Sequence, residues 1–337
     1  MKTRALLISV IFATLLVGMS ACDKEYDIYT EDDYQPDNTS YDEPDFDSII
    51  DINNYFTNSV YLQDFAFDIE NRLWAATNRG VILLDTTSHT VFNTQNSPLT
   101  DNDVNFISID DQSRVWMCLD NALFMYEINS QIWHEYTSDD VEYILSGSSK
   151  VYTKRPGHQY LMCFQYLYEF DGNNWQLVVN LNELFDEYIS MIQTDAPCAF
   201  HDSVMWINSY EGLIALHNDS TAQIFNTANS GISDNSLVEV HTDDDGNVWM
   251  TNDSGIEMYD GESWQVFSDK YRLSVMGNTV LCYYDEFVFK WVSNQWWQTD
   301  VGNNQFAGSY NAGVADQNDT IWLSAGDRLY KTSLQAE

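Results

Sequence analysis

Four aspartates each stand six residues ahead of a tryptophan: Asp68 and Trp74, Asp110 and Trp116, Asp243 and Trp249, Asp316 and Trp322. Carboxylates in turns can hold a hard cation through their oxygens, and a pair at a set separation can hydrolyse a glycoside. Neither pattern is complete. The TDDDGNVW run at 242–249 does not continue into a calcium-binding loop ending in Glu. Among 52 acidic residues a carboxyl pair can always be nominated, so pairing selects nothing. One internal spacing used four times points instead to a structural hairpin, whose carboxylate satisfies turn amides while the indole packs between sheets. His89, His134, His158, His201, His217 and His241 form no HxH or HExxH pattern, so neither a metal nor a cofactor is indicated. His241, two residues before Asp243, is the one histidine placed where it could face a pocket. Cys118, Cys163, Cys198 and Cys282 read as buried free thiols acting as small hydrophobes. Serine has no G-x-S-x-G elbow to sit on.

The elements that hold these residues repeat. Trp74, Trp116, Tyr160, Trp206, Trp249, Leu281 and Trp322 follow one another at intervals of 42, 44, 46, 43, 32 and 41 residues. The fullest unit has an acidic turn, a Trp-led apolar strand, a polar loop around Gly255 and an aromatic strand. A period near forty with several short strands per unit is the signature of propeller blades. The expected fold is therefore all-β, a seven-bladed β-propeller over residues 49–334. An aromatic content of 15 % suits it, because bulky rings pack well on pleated surfaces. The third unit lacks the acidic turn and carries Lys154-Arg155-Pro156-Gly157-His158 there; the sixth is short and has Leu281 for the tryptophan, yet keeps Trp291 and Trp296. Between blades, Phe92-Asn93-Thr94-Gln95-Asn96-Ser97 returns 133 residues later as Phe225-Asn226-Thr227-Ala228-Asn229-Ser230. The last unit supplies about three strands, and its missing outer strand resembles Tyr55-Phe56-Thr57-Asn58-Ser59. Residues 49–59 are thus expected to complete that blade and protect the ring's edges.

The amino terminus reads as an address. Lys2 and Arg4 precede an apolar run over 5–17 and then Met19-Ser20-Ala21-Cys22, the layout of a secretory signal. Its end resembles the lipobox of bacterial lipoproteins, with Met19 where Leu is usual. The resemblance implies a signal peptide over 1–21 and a diacylglycerol on Cys22. Residues 23–47 hold eleven acidic residues and one lysine, too charged to fold alone. Residues 22–48 then form an acidic tether with a reach of roughly 25–30 Å. An acidic run directly after the lipidated cysteine resembles the surface-export signal of Bacteroidetes lipoproteins. That implies the outer membrane as location, with outward or periplasmic orientation left open. Beyond the signal, no apolar run is long enough to span a bilayer.

Charge narrows the partners. Lys+Arg 14 against Asp+Glu 52 gives −38, and −40 once Lys2 and Arg4 are removed with the signal. Such a surface repels phosphate backbones, which excludes nucleic acid and disfavours anionic glycans.

The hairpins resemble the two-component regulator propeller repeat, in which D-x-x-G-x-x-W precedes G-[LI]-x-x-[YF]-D and an aromatic strand. The resemblance covers about residues 53–334 and is strongest around Trp74, Trp249 and Trp322. It implies an extracytoplasmic propeller; such propellers form the sensor regions of hybrid histidine kinases and also occur without kinases. This chain, ending at Glu337 with no kinase or DNA-binding region, is expected to be of the second kind. Residues 242–249 also satisfy the Asp-box of sialidases. The convergent arginines of a sialidase are wanting, with only Arg72, Arg79, Arg114, Arg155, Arg272 and Arg328 after the signal.

In propellers the loops between second and third strands gather on one face. Here they carry Asn78, Arg79, Tyr166, Tyr210, Glu211, Asp253, Tyr284 and Arg328, aromatics beside amide and charged groups, as a sugar or peptide site uses. The expected function is non-catalytic binding of an envelope protein or glycan on this face. Two alternatives stand: a propeller enzyme, a glycan hydrolase or a lyase resembling the streptogramin lyases with His241 at its pocket, and an orphan extracytoplasmic sensor.

Overall fold

The computed structural model describes residues 49–335, apart from 86, 142–149, 156, 187, 191–197, 202, 219–220, 268–271, 285–286, 300–309 and 319. The expected signal (1–21) and tether (22–48), Cys22 included, lie outside the described residues.

Seven four-stranded antiparallel sheets form the blades. Blade 1 comprises Leu62–Phe67, Leu73–Thr77, Gly80–Leu84 and His89–Phe92. Blade 2 comprises Phe106–Ile109, Arg114–Cys118, Leu123–Glu127 and Ile132–Tyr136; blade 3, Val151–Arg155, His158–Cys163, Tyr166–Phe170 and Trp175–Asn180. Blade 4 runs through Cys198–His201, Val204–Asn208, Leu213–His217 and Ala222–Phe225; blade 5 through Leu237–Thr242, Val248–Asn252, Gly255–Tyr259 and Trp264–Phe267. Blade 6 holds Arg272–Met276, Thr279–Tyr284, Phe287–Val292 and Gln295–Thr299, and blade 7 Tyr310–Ala315, Thr320–Ala325 and Arg328–Gln335. All seven sequence marks fall in second strands. The first strand of each blade is innermost, since first strands lie against those of neighbouring blades.

Second strands are buried on both faces because each is sandwiched between adjacent blades; Leu73–Thr77, Arg114–Cys118 and Val248–Asn252 are buried throughout. At the head of each full repeat, one carboxylate organises the turn. Asp68 Oδ1 accepts from the amides of Glu70 and Arg72, while Oδ2 accepts from Arg72 Nε and from Trp74 Nε1 at 3.0 Å. The indole bond recurs from Trp116 to Asp110 (2.8 Å), Trp249 to Asp243 (2.9 Å) and Trp322 to Asp316 (3.0 Å). Both oxygens of Asp243 are committed in this way, Oδ1 to the Asn247 amide, so this turn is structural as the sequence implied.

The anchored indole then keys one blade to the next. Trp74 lies against Phe92 of its own blade and Tyr126 of blade 2, which also meets Trp133. The same quartet forms from Trp116, Tyr136, Phe170 and Trp175, from Trp206, Phe225, Tyr259 and Trp264, and from Trp249, Phe267, Trp291 and Trp296. Aromatic pairs add about 0.5–1.5 kcal/mol each beyond their buried area. Where the repeat is poor, neighbours substitute. Blade 3 has no turn aspartate, and its Gly157 amide and Gln159 side chain bond Asp111 of blade 2, while Arg114 donates to Gln159. Cys118, Cys163, Cys198 and Cys282 are buried and form no disulfide with one another.

In the last sheet Ile49–Asp51 lies beside Arg328–Gln335, with Ile50 opposite Leu329. The segment Tyr55–Ser59, likened in sequence to this outer strand, is not part of it. A 3-10 helix over Ile52–Tyr55 comes first, capped by Asp51 accepting from Asn53 N. Asn53 explains the departure: its amide donates to Asp327 and its carbonyl accepts from Val60 N, pulling the chain across towards blade 1 over the fully buried Ile52.

Asp110→Ala leaves the Trp116 indole N–H and the Arg114 guanidinium buried without their acceptor. It is expected to cost about 3 kcal/mol or more in urea unfolding, and Trp116→Phe, which keeps a ring, about 1–2 kcal/mol. Truncation to residue 48 is expected to leave the melting temperature unchanged. Truncation to residue 52 uncovers the Arg328–Gln335 edge and is expected to lower it; equal melting of the two truncations would refute this.

Candidate functional site

Antiparallel blades put every turn between second and third strands at one end of the ring, together with the crossings from each fourth strand to the next first strand. These two sets of segments bond each other. Gly80 N donates to Asn102 O and Val104 N to Thr77 O, tying the blade 1 hairpin to the crossing into blade 2. Leu237 N donates to Ser209 O in the equivalent place on blade 4. Within the hairpins, Thr77 Oγ1 donates to Gly80 O and accepts from Arg79 N, and Ser209 Oγ does the same with Gly212 O and Glu211 N. Gly80 and Gly212 have φ of +110° and +130°, and a Cβ on either would stand 2.1 or 2.2 Å from the carbonyl oxygen of Phe92 or Phe225. Only glycine fits such a combination of left-handed backbone and close approach.

The sequence-selected residues fare differently within this scaffold. Tyr210 is 52 % exposed, and Arg79 and Asp253 are exposed. Arg79 Nε donates to Ser59 O at 3.3 Å. Asn78 and Glu211 instead serve the backbone, Asn78 Oδ1 accepting from Tyr61 N and Glu211 Oε2 from Ser190 N. Tyr166 is half-buried on the core between blades 2 and 3. Arg328 pairs with Asp51 at 3.3 Å. Tyr284 ends a second strand opposite Phe287. The eight residues thus share an end of the ring but are spread over six blades, and the adjacent pairs are Asn78 with Arg79 and Tyr210 with Glu211. They lie in or beside the turns between second and third strands, away from the first strands that line the channel.

First strands line the channel, and apart from His241 their polar side chains were not selected from the sequence. Asp64 pairs with Lys150 at 2.7 Å and its Oδ2 accepts from Ile107 N at 3.0 Å. Glu239 Oε2 accepts from Leu273 N and Ser274 Oγ from Gly313 N. Each caps an amide on the inner edge of the next blade, where no further strand exists to do so. His241 also lies in a first strand, with Nε2 buried and without a hydrogen-bond partner. Burial, reinforced by the Lys150 charge, pushes its pKa down to about 4, so it is neutral at pH 7. Glu257 is fully buried, and burial raises its pKa against the bonds it receives from Ser233 and Asn252.

Several exposed side chains on the hairpin end also escaped the sequence reading. Tyr61 and Tyr188 are 70 % and 74 % exposed, and Phe164 and Leu184 each 37 %. Tyr61, Leu184 and Tyr188 lie in or beside crossings, which carry no repeat mark; Phe164 lies in a hairpin.

No family model matches the chain, and no curated protein matches it in sequence. Solved structures do. The extracellular domain of the hybrid two-component system BT3049 from B. thetaiotaomicron superposes with a TM-score of 0.64 at 16 % identity, over 82 % of this chain and 40 % of that one. The chain shares that propeller fold. It spans less than half of the BT3049 domain it matches. Virginiamycin B lyase from Staphylococcus aureus matches with a TM-score of 0.63 at 12 % identity, over 85 % of this chain and 98 % of the lyase. YCF48 bound to D1 peptide matches with a TM-score of 0.63 at 16 % identity, over 86 % and 97 %. The likeness drawn from the D-x-x-G-x-x-W hairpins therefore holds at the level of fold.

Gly212→Ala is expected to destabilise the protein by about 2 kcal/mol or more, since it combines a strained φ with a steric overlap. An unchanged melting temperature would mean that the hairpin relaxes freely.

Proposed function

We propose that this chain is a non-catalytic binding module, lipid-anchored at Cys22 to the bacterial outer membrane, that engages an envelope protein or glycan on the hairpin end of its ring. The observation carrying this reading is that the hairpins are fixed by crossing segments and by glycines that admit no substitute, yet present Tyr210, Arg79 and Asp253 to solvent. Rigid loops with exposed aromatic and charged groups lose little entropy on binding. The groups that an enzyme would recruit are committed elsewhere. His241, at about 4, is poorly matched to proton transfer at neutral pH, and Glu257 and Asp64 hold the scaffold together. The likeness to virginiamycin B lyase, at 12 % identity, is one of fold and assigns no residue of this chain to catalysis. YCF48, a propeller of the same fold bound to a peptide, supports the binding reading. The propeller shared with BT3049 supports a second one, in which the bound ligand is reported to a separate kinase.

Capture from intact cells tests the proposal. The full chain is expected to recover a specific envelope component, and a variant carrying Arg79→Ala, Tyr210→Ala and Asp253→Ala to lose it without a change in melting temperature. A component retained by the variant would overturn the hairpin end as the binding surface. Cys22→Ser is expected to move the protein from the membrane fraction to the soluble fraction.

A further inference from the structure

Eleven large hydrophobic side chains are notably exposed among the described residues, and six of them, Phe164, Leu177, Val178, Leu184, Tyr188 and Tyr210, belong to blades 3 and 4 and the crossing between them. Hydrogen bonds make this sector continuous. The blade 3 hairpin bearing Phe164 is tied to the short helix Leu181–Phe185 by Leu181 N donating to Gln165 O at 2.9 Å. Asn182 on that helix accepts from Ile189 N at 2.7 Å, beside Tyr188. Ser190 then bonds the blade 4 hairpin twice, receiving the Tyr210 N–H at 3.0 Å and donating its own amide to Glu211 Oε2 at 3.0 Å. Leu181 and Ile189 are fully buried beneath, in the core shared by blades 3 and 4. The described part of the crossing up to Ser190 is thus a ledge held by these bonds, whose buried Leu181 and Ile189 join the core while Leu184 and Tyr188 are exposed.

The outer strand of blade 3 extends the ledge. Trp175–Asn180 exposes Gln176, Leu177 and Val178 in succession. Its register against Tyr166–Phe170 passes from Val179 to Leu177, leaving Val178 as an extra residue. A strand alternating between core and solvent would expose one of these two side chains; the bulge exposes both. The strand runs directly into Asn180, which caps the helix.

From this arrangement we infer that the ledge over blades 3 and 4 docks a cationic, apolar segment of a partner protein. This rests on the hairpin end being a binding surface and narrows it to one sector and one class of ligand. Aliphatic Leu177, Val178 and Leu184 offer a sugar hydroxyl nothing to bond, whereas they suit leucine or valine side chains. Exposed Glu183 and Asp186 stand on and beside the helix. With a chain charge of −38, they attract lysine and arginine and repel acidic partners. Tyrosines at the two ends provide broad, stiff contact area at low entropy cost.

The test measures binding of synthetic peptides to the full chain carrying Cys22→Ser, by fluorescence anisotropy. A peptide of alternating Lys and Leu is expected to bind, with affinity falling as salt is raised. Its Glu/Leu and Lys/Ser counterparts are expected to bind about tenfold more weakly or worse. Leu184→Ala with Tyr188→Ala is expected to weaken the Lys/Leu peptide by about tenfold at an unchanged melting temperature, since both side chains are exposed. Ile69→Ala, at a 73 % exposed position in the turn between the first and second strands of blade 1, is expected to leave it unaltered. Equal binding of the Lys/Ser peptide, or binding that survives the double variant, would overturn the ledge. Neutral oligosaccharide binding lost in the double variant would overturn the peptide class and leave the hairpin end standing. If the envelope component captured from cells depended on Arg79 and Asp253 but not on Leu184 and Tyr188, the ledge would fall while the broader reading survived.

Discussion

The hydrogen bond from an indole N–H to an aspartate six residues earlier is the constraint on which much of the ring depends. A tryptophan buried between two sheets must satisfy its one polar atom, and in blades 1, 2, 5 and 7 the turn aspartate does so while its other oxygen gathers the turn amides. One side chain therefore sets the turn and the rotamer of the ring packed below it. Fixed in this way, the indoles of Trp74, Trp116 and Trp249 each present a surface to the next blade on which an aromatic quartet forms, while Trp206 builds a fourth quartet with Phe200, not an aspartate, six residues earlier. Apolar clusters occupy the remaining junctions too, with aliphatic side chains such as Ile214, Leu216 and Leu281 in place of some rings.

A ring of sheets leaves polar edges towards its axis, and here they are met by side chains rather than by another strand. Asp64, Glu239 and Ser274 each reach to an amide of the following blade, and Lys150 neutralises Asp64 from blade 3. The channel wall is in this sense a set of caps. That use commits carboxylates which, met in a cleft, would suggest chemistry.

The repeat was legible because its residues answer to local rules. Asp–Trp hairpins, and the Asn93 and Asn226 turns in which Asn96 and Asn229 accept from the backbone, are determined within a few residues of sequence. So were the blade number and the second strands. The site was less legible because exposure is decided between blades. Tyr166 opens a third strand opposite Cys163 and packs on the blade 2–3 core, whereas Tyr210 lies in the longer turn of blade 4 and stays in solvent. Glu211 and Asn78 looked like ligand groups and are spent on amides of crossings whose course no spacing announces. The helix Leu181–Phe185 and the exposed Tyr188 lie in such a crossing. The outer strand of blade 7 was misplaced by a few residues because Asn53, one amide side chain, redirects the chain after Asp51.

The last sheet draws three strands from the C-terminal end of the chain and one, Ile49–Asp51, from the region just after residue 48. That gives the molecule a mechanical seam. A pull on the amino terminus enters the fold at a three-residue strand before it reaches any complete blade. The load would peel Ile49, Ile50 and Asp51 from Tyr330, Leu329 and Arg328 while blades 2 to 6 remained unstrained. Tension applied at residue 49 would thus be registered first at the junction of blades 7 and 1, on the flank of the ring away from blades 3 and 4.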